Sequence, residues 1–312
     1  MTHVSVSVVI PTIGRPELSE AVRSALDQDY PVHEIVVCLD AMLDVEPQLP
    51  DDRRIRVLRV GPGAGGNVAR QEGIESASGD LIALLDDDDV WHPQKLRTQL
   101  KLVGPSTHAS TSWIATSRLT ARFNNHDEIW PERLKGPNEL LSHYILRKHR
   151  PQGGQGFVQA STLLFPRALA IRVPFDRKLR YHQDIDWLLS AERATPDLVV
   201  FQSERPLTIY VINTKSVSGG GGIAPEDSAA WAERRILDDP RSLGDFILTT
   251  SVIYAARRED LVGIVKTIRH GLRVGRPGVA AAAYSMYLLC VTSLRLLWQS
   301  KNRTARPSNA GD

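Results

Sequence analysis

The sequence predicts an α/β fold in which a mostly parallel sheet is flanked by helices and followed by a C-terminal helical extension. Strand and helix patterns follow one another over residues 4–85, and the first strand pattern alternates before it becomes continuously apolar, as in a parallel strand buried on both faces. A purely helical pattern then runs from Asp227 to about Ser300. The predicted segments are a sheet domain at 1–225, a helical region at 226–300 and a disordered polar tail at 301–312.

The first half of the sheet is predicted from four apolar strands and two helices. The strand patterns are Val4 to Ile10, Glu34 to Leu39, Arg54 to Val60 and Leu81 to Leu85. The helix patterns, with apolar residues three or four apart, are Glu17 to Asp27 and Asn67 to Ala77, the second preceded by a glycine-rich turn at Gly61 to Gly66. Because strands connected through helices pair in parallel, we expect these four strands side by side.

The pattern is less regular beyond residue 100. Further strands are predicted at Ser110 to Arg118, Ala121 to Phe123, Leu163 to Pro166, Leu198 to Gln202 and Leu207 to Ile212. One helix is predicted at Asp184 to Arg193 and a flexible loop at Gly219 to Gly222. The C-terminal helical pattern is interrupted at Pro240 and Pro277.

Composition limits the classes of function. The 312 residues carry a formal net charge of +2, with acidic and basic residues mixed, so the sequence predicts no nucleic-acid partner. Two distant cysteines, Cys38 and Cys290, form neither a disulfide framework nor a zinc spacing. The first apolar strand begins without a preceding basic region and cleavage site, which favours a cytoplasmic location over secretion.

The segment Val279 to Trp298 is apolar and about long enough to span a bilayer. We favour a helix packed on the main domain, because the segment includes several alanines, serines and threonines and Arg295. The alternative is an interfacial helix that places the protein peripherally at the inner face of the membrane. Basic residues that would support this alternative flank or lie within the segment: Arg269, Arg273, Arg276, Arg295, Lys301 and Arg303.

Four consecutive aspartates, Asp86 to Asp89, directly follow the apolar strand that ends at Leu85. The carboxyl ends of parallel strands are where open α/β sheets bind ligands. Adjacent carboxylates repel one another, and a divalent cation such as manganese or magnesium relieves that repulsion and bridges to phosphate oxygens. The structural alternative is an acidic turn in which Asp89 caps the helix beginning near His92 and Pro93.

Two other strand ends carry polar groups that suit a nucleotide. Asp40 ends the second strand, where its carboxylate can accept hydrogen bonds from a ribose hydroxyl or a base N–H, or serve only as a turn residue. The first strand opens into a loop that contains Pro11, Thr12, Gly14 and Arg15. This loop lacks the glycine spacing of a dinucleotide fingerprint, and the sequence contains no P-loop.

A later segment offers candidates for a general base. Asp184 and Asp186 lie two residues apart at the predicted start of a helix, so only one of them can face the same crevice. The other would cap the helix or contact a neighbour. His182 is an alternative base.

These motifs together resemble the inverting GT-A-fold glycosyltransferases called family two, whose fold is Rossmann-like. The resemblance covers roughly residues 4 to 220. The segments that carry it are Val8-Val9-Ile10-Pro11-Thr12, the strand ending at Asp40, Ala69-Arg70-Gln71-Glu72-Gly73, Leu85-Asp86-Asp87-Asp88-Asp89-Val90-Trp91-His92-Pro93 and Gln183-Asp184.

The resemblance implies a role for each matching position. Pro11, Thr12, Asp40 and Arg70 would bind the nucleotide sugar. Asp86 and Asp87 would approach the ribose or the metal, Asp88 would ligate the divalent cation, and Asp184 would be the catalytic base.

The chain departs from the family pattern at three places. Gln71 replaces an asparagine, and Gln183 replaces a glutamate before the base. A late Arg-x-His pattern reads Tyr210-Val211-Ile212-Asn213, which leaves Lys215 as the alternative cation at the diphosphate.

The predicted function is inverting transfer of a sugar from a nucleoside-diphosphate sugar to an acceptor hydroxyl, in the synthesis of a glycan, a glycolipid or a glycosylated metabolite. The acceptor is unknown: a sugar, a lipid-linked sugar or a small molecule. One alternative is a sugar-1-phosphate nucleotidyltransferase, although Pro11 to Gly14 does not match the glycine-rich, arginine-bearing loop of such enzymes. The other is a non-catalytic carbohydrate-binding protein of the same fold.

Overall fold

The computed structural model describes residues 4–42, 44, 46–104, 110–212 and 222–304. They form two compact units. The sheet unit comprises the described residues within Met1–Ile145 and Gly156–Ser216, and the helical unit those within Leu146–Gln155 and Val217–Asp312. Asn213, Lys215, residues 219–221 of the predicted glycine loop and residues 305–312 of the predicted tail lie outside the described residues.

The sheet unit alternates strands and helices through its first half. Its strands are β1 Val6–Thr12, β2 Glu34–Leu39, β3 Ile55–Arg59, β4 Leu81–Leu84, β5 Val90–Trp91, β6 Trp113–Arg122, β7 Asp127–Trp130, β8 Leu164–Pro166 and β9 Val199–Val211. Its helices are α1 Leu18–Leu26, α2 Gly66–Ser76, α3 Lys95–Val103, α4 Leu141–Leu146, α5 Arg167–Arg172 and α6 Gln183–Ala194. A 3-10 helix, Ala160–Thr162, precedes β8.

The strands form one sheet in the order β3-β2-β1-β4-β8-β6-β9-β5, and β7 pairs with β6. The pairings show that β1, β2, β3, β4, β6 and β9 run in one direction, whereas β5, β7 and β8 run in the other. The predicted mostly parallel sheet is therefore confirmed. The carboxyl ends of the six co-directional strands share one edge of the sheet, which we call the carboxyl edge.

Helix α2 lies unusually close to the first strands. A Cβ atom added to Gly73 would lie 2.5 Å from both Cys38 Sγ and Val9 Cγ1, so no larger residue fits without movement. The buried apolar side chains of β1 and β2 form the opposing surface. This close approach explains why the glycine stands in the helix interior despite its low helix propensity.

Several predicted boundaries differ from the structure. The two strands predicted around residues 110–123 are one strand, β6, with register shifts at Ser117 and Arg118. The break predicted within residues 198–212 is absent, because Pro206 lies at that same irregularity, where a missing N–H is tolerated. The short elements β5, β7, α4 and α5 were not predicted, because runs of two to six residues carry too little periodicity.

The helical unit contains consecutive helices, as predicted. They are α7 Pro225–Arg235, α8 Pro240–Phe246, a π-helical turn Ile247–Ser251, α9 Val252–Arg257, α10 Leu261–Val274 and α11 Val279–Thr304. Asp239 and Asp260 accept hydrogen bonds from the backbone N–H groups of Ser242 and Gly263, and so cap α8 and α10. The chain also breaks at Glu259, whose φ is 55°, a break the sequence did not predict.

Helix α11 continues to Thr304, four residues into the segment predicted to be disordered. Within the described part of the chain, Val279–Ser300 is long and apolar enough to cross a membrane by length and composition, with a mean hydropathy of 1.4. Only 17% of its most apolar window is buried. Its exposed large apolar residues are Val279, Met286, Tyr287, Leu294, Leu297 and Trp298.

Candidate active site

The four aspartates lie at the carboxyl edge, in the turn between β4 and β5. Asp86 accepts a hydrogen bond of 2.9 Å from Arg70 Nη2 and another of 2.9 Å from Gln159 Nε2. Arg70 comes from the buried side of α2 and is itself almost fully buried. The structure therefore brings Arg70 and Asp86, each predicted separately to bind the nucleotide sugar, into direct contact.

Asp87 and Asp88 face the loop that follows β1. The Thr12 hydroxyl donates to Asp87 Oδ2 at 2.6 Å, and Arg15 Nη1 contacts Asp87 Oδ1 at 3.1 Å and Asp88 Oδ2 at 2.9 Å. Arg15 was noted in the loop but was not predicted to contact the aspartates. Asp88 depends on it for its ion pair and is the more exposed of the two carboxylates, with 22% side-chain exposure against 7% for Asp87.

Asp89 is fully buried and does not cap a helix. Its Oδ2 accepts hydrogen bonds from Gln159 Nε2 at 2.8 Å and from Ser161 Oγ at 2.5 Å. Helix α3 begins at Lys95, too far along the chain for Asp89 to cap it. The capping alternative is therefore wrong. The Asp89 carboxylate instead accepts hydrogen bonds from the uncharged side chains of Gln159 and Ser161 in the interior of the sheet unit.

The segment from Gln159 to Ser161 connects the carboxylates, and the sequence analysis missed it. Gln159 contacts Asp86 and Asp89, and the Asp86 N–H donates to Ser161 Oγ at 2.9 Å. The Ala160 N–H donates to Asp184 Oδ2 at 3.0 Å. Gln-Ala-Ser carries no charge and no periodic pattern, so no sequence signal marks this segment.

The two candidate bases on α6 have different surroundings. Asp184 faces the 3-10 helix that also contacts Asp86 and Asp89. Asp186 is buried in the first turn of the helix, and its N–H donates to the carbonyl oxygen of His182. Because α6 begins at Gln183, Asp186 is not its N-cap, which corrects that part of the prediction. Burial lowers the pKa of His182 to about 4, so its imidazole is neutral at pH 7.

Four of the site carboxylates, those of Asp87, Asp88, Asp89 and Asp184, lie in surroundings that disfavour their negative charge. Burial raises the pKa of Asp88 to about 6, and the charges of Asp86 and Asp87 act in the same direction. Burial likewise raises the pKa of Asp184 to about 6, against the opposing charge of Arg70. The pKa values of Asp87 and Asp89 are also raised, again chiefly by burial. Negative charge is thus in excess here, despite Arg15 and Arg70.

This excess suits a divalent cation. Among the described residues, no three His, Cys, Asp or Glu side chains converge as a complete ligand set. Magnesium and manganese are commonly held by one or two carboxylates together with the phosphates of a substrate. Asp88 is partly exposed and its pKa is raised, so among these carboxylates it could hold such a cation together with a phosphate ligand.

The predicted nucleotide-binding residues lie at the ends of β1 and β2. The Asp40 carboxylate accepts hydrogen bonds from the N–H groups of Ala64 at 2.8 Å and Gly65 at 2.6 Å, and so orders the glycine-rich turn before α2. Its N–H donates to the carbonyl oxygen of Thr12, which keeps the two strand ends together beside Pro11. Each carboxylate oxygen retains acceptor capacity for a further donor.

Gln71 and Gln183, the two glutamines that depart from the family pattern, make different contacts. Gln71 accepts from the Phe175 N–H at 3.0 Å and donates to Glu75 at 3.0 Å, so it braces α2 within the sheet unit. Gln183 accepts from Arg70 Nη1 at 3.2 Å. Because this glutamine is neutral, the charge of Arg70 is balanced by Asp86.

A family model described as Glycosyl transferase family 2 matches residues 7–170, more than half of the chain. The chain belongs to glycosyl transferase family 2. The matched region contains β1 through β8 and every predicted site residue except Asp184. The family membership predicted from the motifs is confirmed, and glycosyl transfer replaces the nucleotidyltransferase alternative.

Known relatives agree with this assignment. The glycosyltransferase is 27% identical over 249 residues to the amylovoran biosynthesis glycosyltransferase AmsB of Erwinia amylovora, covering 75% of this chain and 78% of that protein. It is 32% identical over 102 residues to the Escherichia coli UDP-Glc:alpha-D-GlcNAc-diphosphoundecaprenol beta-1,3-glucosyltransferase WfgD, covering 31% of this chain and 40% of that protein.

A solved structure supports the fold. The crystal structure of S. aureus TarS 1-349 in complex with UDP-GlcNAc superposes with a TM-score of 0.57 at 16% identity, covering 94% of this chain and 92% of that chain. At this identity the likeness concerns the fold alone, and it confirms the predicted GT-A architecture with C-terminal helices.

Proposed function

We propose that this glycosyltransferase moves a sugar from a nucleoside-diphosphate sugar to an acceptor hydroxyl in one step, with inversion at the anomeric carbon. The observation that carries the proposal is the gathering of Asp86, Asp89 and Asp184 around Gln159 to Ser161, with Asp87 and Asp88 next to them against Thr12 and Arg15. In this arrangement Asp88, which is partly exposed, is available to the nucleotide-sugar donor. Asp184, a separate carboxylate with a pKa of about 6, is available to the acceptor hydroxyl.

Asp184 is the proposed base. Its raised pKa leaves it ionised at pH 7 yet able to hold a proton, as general base catalysis near neutrality requires. The hydrogen bond from the Ala160 N–H fixes one carboxylate oxygen and leaves the other for the acceptor hydroxyl. As this base takes the proton, the acceptor oxygen would bond to the anomeric carbon on the face opposite the diphosphate, whose bond to that carbon breaks in the same step, and this geometry inverts the configuration.

The donor side is assigned to the ends of β1, β2 and β4. Pro11, Thr12 and Asp40 would line the base and ribose, with Arg70 setting the position of Asp86. Asp86 and Asp87 would border the ribose or the metal, and Asp88 would ligate the cation. A manganese or magnesium ion bound there would stabilise the negative charge of the departing diphosphate.

The relatives support a nucleotide-sugar donor and a role in glycan synthesis. TarS was crystallised with UDP-GlcNAc, WfgD is named for a UDP-glucose donor, and AmsB is named for amylovoran biosynthesis. Synthesis of a glycan, a glycolipid or a glycosylated metabolite would suit this enzyme.

The proposal is tested by incubating the purified chain with a panel of nucleoside-diphosphate sugars and manganese, with and without candidate acceptors. We expect one base and sugar to give donor hydrolysis and, with an acceptor, a product whose anomeric configuration is opposite to that of the donor by NMR. Retention of configuration would contradict the inverting step, and no turnover of any donor would contradict the enzymatic proposal.

Because only 17% of the most apolar window of α11 is buried, we now propose the interfacial alternative in place of the packed helix that the sequence favoured. Contact of the helical unit with the inner face of the membrane would place the enzyme near lipid-linked acceptors. Exposed apolar residues follow one another along α11 at helical spacing, including Met286, Leu294 and Trp298. Residues 146–155 and 222–304 contain fifteen Lys and Arg against eight Asp and Glu, a net charge of +7. An apolar helical face on a basic unit matches an anionic lipid surface.

Flotation with phosphatidylglycerol-containing vesicles tests this contact. The intact protein should float at low salt, and Leu297→Glu should abolish flotation because it introduces a charge into the apolar face. Leu237→Glu, at an equally exposed leucine outside α11, is the matched control and should still float. Failure of the intact protein to float would support the packed-helix interpretation.

A further inference from the structure

A row of partly exposed aromatic rings crosses the sheet unit beside the carboxylates. Tyr210 lies 6.3 Å from Phe157, Phe157 lies 5.5 Å from Trp130, and Trp130 lies 5.8 Å from Phe123, measured between ring centroids. The His126 ring stacks on Phe123 at 4.7 Å. We call these five residues the aromatic row. Their side chains are neither fully buried nor part of the apolar core.

One end of the aromatic row lies next to the carboxylates of the candidate active site. Tyr210 is the penultimate residue of β9, and the N–H of Val211, the next residue, donates to Asp89 Oδ1 at 3.4 Å. Phe157 lies two residues before Gln159, which contacts Asp86 and Asp89. The inner end of the row is therefore continuous with the candidate active site.

The row then leads away from the donor side. Phe123 directly follows β6, whose carboxyl end lies at the same edge of the sheet as those of β1 and β2. In the strand order, β6 and β9 lie on one side of β4, and β1 and β2 lie on the other. If the nucleotide binds at the carboxyl ends of β1 and β2, the acceptor must bind on the other side of β4. The aromatic row lies on that side of the sheet.

Polar side chains hold the outer rings in place. The Glu128 carboxylate accepts a hydrogen bond from Trp130 Nε1 at 2.8 Å and pairs with His126 Nε2 at 3.0 Å. These two contacts, first that of Trp130, lower the pKa of Glu128. Arg122 and Asp127 form an ion pair of 3.1 Å in the same hairpin. Rings that are held in this way lose little conformational freedom on binding a ligand.

This combination matches the surface of a saccharide. Pyranose rings present apolar C–H faces that pack on aromatic rings, and their hydroxyls bond to flanking carboxylates and guanidinium groups. A lipid chain would not need the charged groups. A nucleic acid would need excess positive charge, whereas the hairpin pairs Arg122 with Asp127 and also carries Glu128.

We propose that the aromatic row is the acceptor subsite and that the acceptor is an oligosaccharide of two or more sugar units. One sugar ring covers about one aromatic ring, and the row extends over several rings beyond Tyr210. The hydroxyl that receives the new sugar would lie at the Tyr210 end of the row, which is the end nearest the carboxylates. The inference rests on the proposed function, because it assigns the second substrate of that reaction.

The test uses an array of bacterial surface oligosaccharides of one to six sugar units, probed with the fluorescently labelled full-length protein. Affinities of the best binders are then measured by calorimetry for wild type, Trp130→Leu and Phe157→Leu, which keep an apolar side chain but remove the ring. Trp298→Leu, at an exposed tryptophan on α11, is the matched control. Donor hydrolysis and stabilisation by nucleoside diphosphates are measured in parallel for all four proteins.

We expect affinity to rise from one to three sugar units. Each row variant should weaken it about tenfold, equivalent to about 1.4 kcal/mol, whereas Trp298→Leu should not. Stabilisation by nucleoside diphosphates should be unchanged in all variants, which separates the subsite from folding and from donor binding. Wild-type affinity in both row variants, no dependence on length, or no saccharide bound by a protein that hydrolyses its donor would overturn the proposal. Absence of donor hydrolysis in wild type would instead contradict the proposed function.

Discussion

The carboxylate of Asp88 is less stable as an anion in the folded protein than it would be in water. Asp88 has a pKa of about 6 in the folded chain against an ordinary value of 3.8. Between these two pH values the folded state binds more protons than the unfolded state, so the contribution of Asp88 to stability falls as pH rises through this window. The site therefore holds unfavourable charge that a bound cation would relieve.

Replacement of Asp88 by asparagine should stabilise the metal-free protein near pH 7.5, because the variant removes this unfavourable charge. We expect a gain of about 1 kcal/mol after allowance for partial exposure, or about 2 °C in melting temperature. The gain should disappear below about pH 4, where Asp88 is protonated in both states. Manganese-dependent stabilisation by nucleoside diphosphates should be lost at the same time.

The control for this variant is Asp27→Asn, which alters an exposed aspartate at the end of α1. It should change neither the melting temperature nor the response to nucleotide and manganese. If Asp88→Asn still binds nucleotide in a metal-dependent way, Asp88 is not the metal ligand and another carboxylate holds the cation.

The sequence predicted the charged part of the site and not the neutral part. Asp86 to Asp89 stand out because charges directly follow an apolar strand, and Asp184 stands out by resemblance. Gln159 and Ser161 are ordinary polar residues whose importance arises only when β8 folds against β4. Such contacts join positions more than 70 residues apart and leave no local pattern.

Among the elements, those with a long apolar pattern were predicted closely. β2 has the predicted bounds, Glu34–Leu39, and α1, α2 and α6 lie within a few residues of theirs. The hairpin β6–β7 was missed because β7 is four residues long, largely exposed and polar at its start. This missed hairpin contributes Trp130 to the aromatic row, so the acceptor subsite could not be inferred from sequence periodicity.

Helix α2 provides a test of packing at the element that positions Arg70. Gly73→Ala should destabilise the protein by about 1 to 3 kcal/mol, because the new methyl group would lie 2.5 Å from Cys38 Sγ and Val9 Cγ1. Chemical denaturation measures the change. Because α2 would shift, the contact between Arg70 and Asp86 should also weaken.

Gly136→Ala is the matched control for this packing argument. The nearest atom to its added Cβ would be Glu139 Cβ at 3.5 Å, an ordinary contact. The change in the free energy of unfolding should stay within about 0.5 kcal/mol. Equal stability of the two variants would show that α2 adapts and does not constrain Arg70.

For the whole molecule, we propose that different parts of the carboxyl edge bind the different substrates of the reaction. The β1–β2 half is assigned to the nucleotide, the turn after β4 to the diphosphate and the cation, and the β6–β9 half to the acceptor. Charge is divided too: the helical unit carries a net charge of +7, whereas the whole chain carries +2. The rest of the chain therefore carries a net negative charge, and it includes the four aspartates of the turn after β4.

The central claim is that Asp184 is the catalytic base for sugar transfer at this edge of the sheet. The test measures sugar transfer and donor affinity for wild type, Asp184→Asn and Asp186→Asn from about pH 5 to about pH 8. Wild-type transfer should fall as pH decreases through about 6, because protonated Asp184 cannot accept the hydroxyl proton. Asp184→Asn should bind donor as wild type does and lose about a hundredfold or more in transfer at every pH. Asp186→Asn, at the buried neighbour, should retain transfer even if it melts at a lower temperature. Near-normal transfer by Asp184→Asn, with or without a loss in Asp186→Asn, would contradict the assignment of the base.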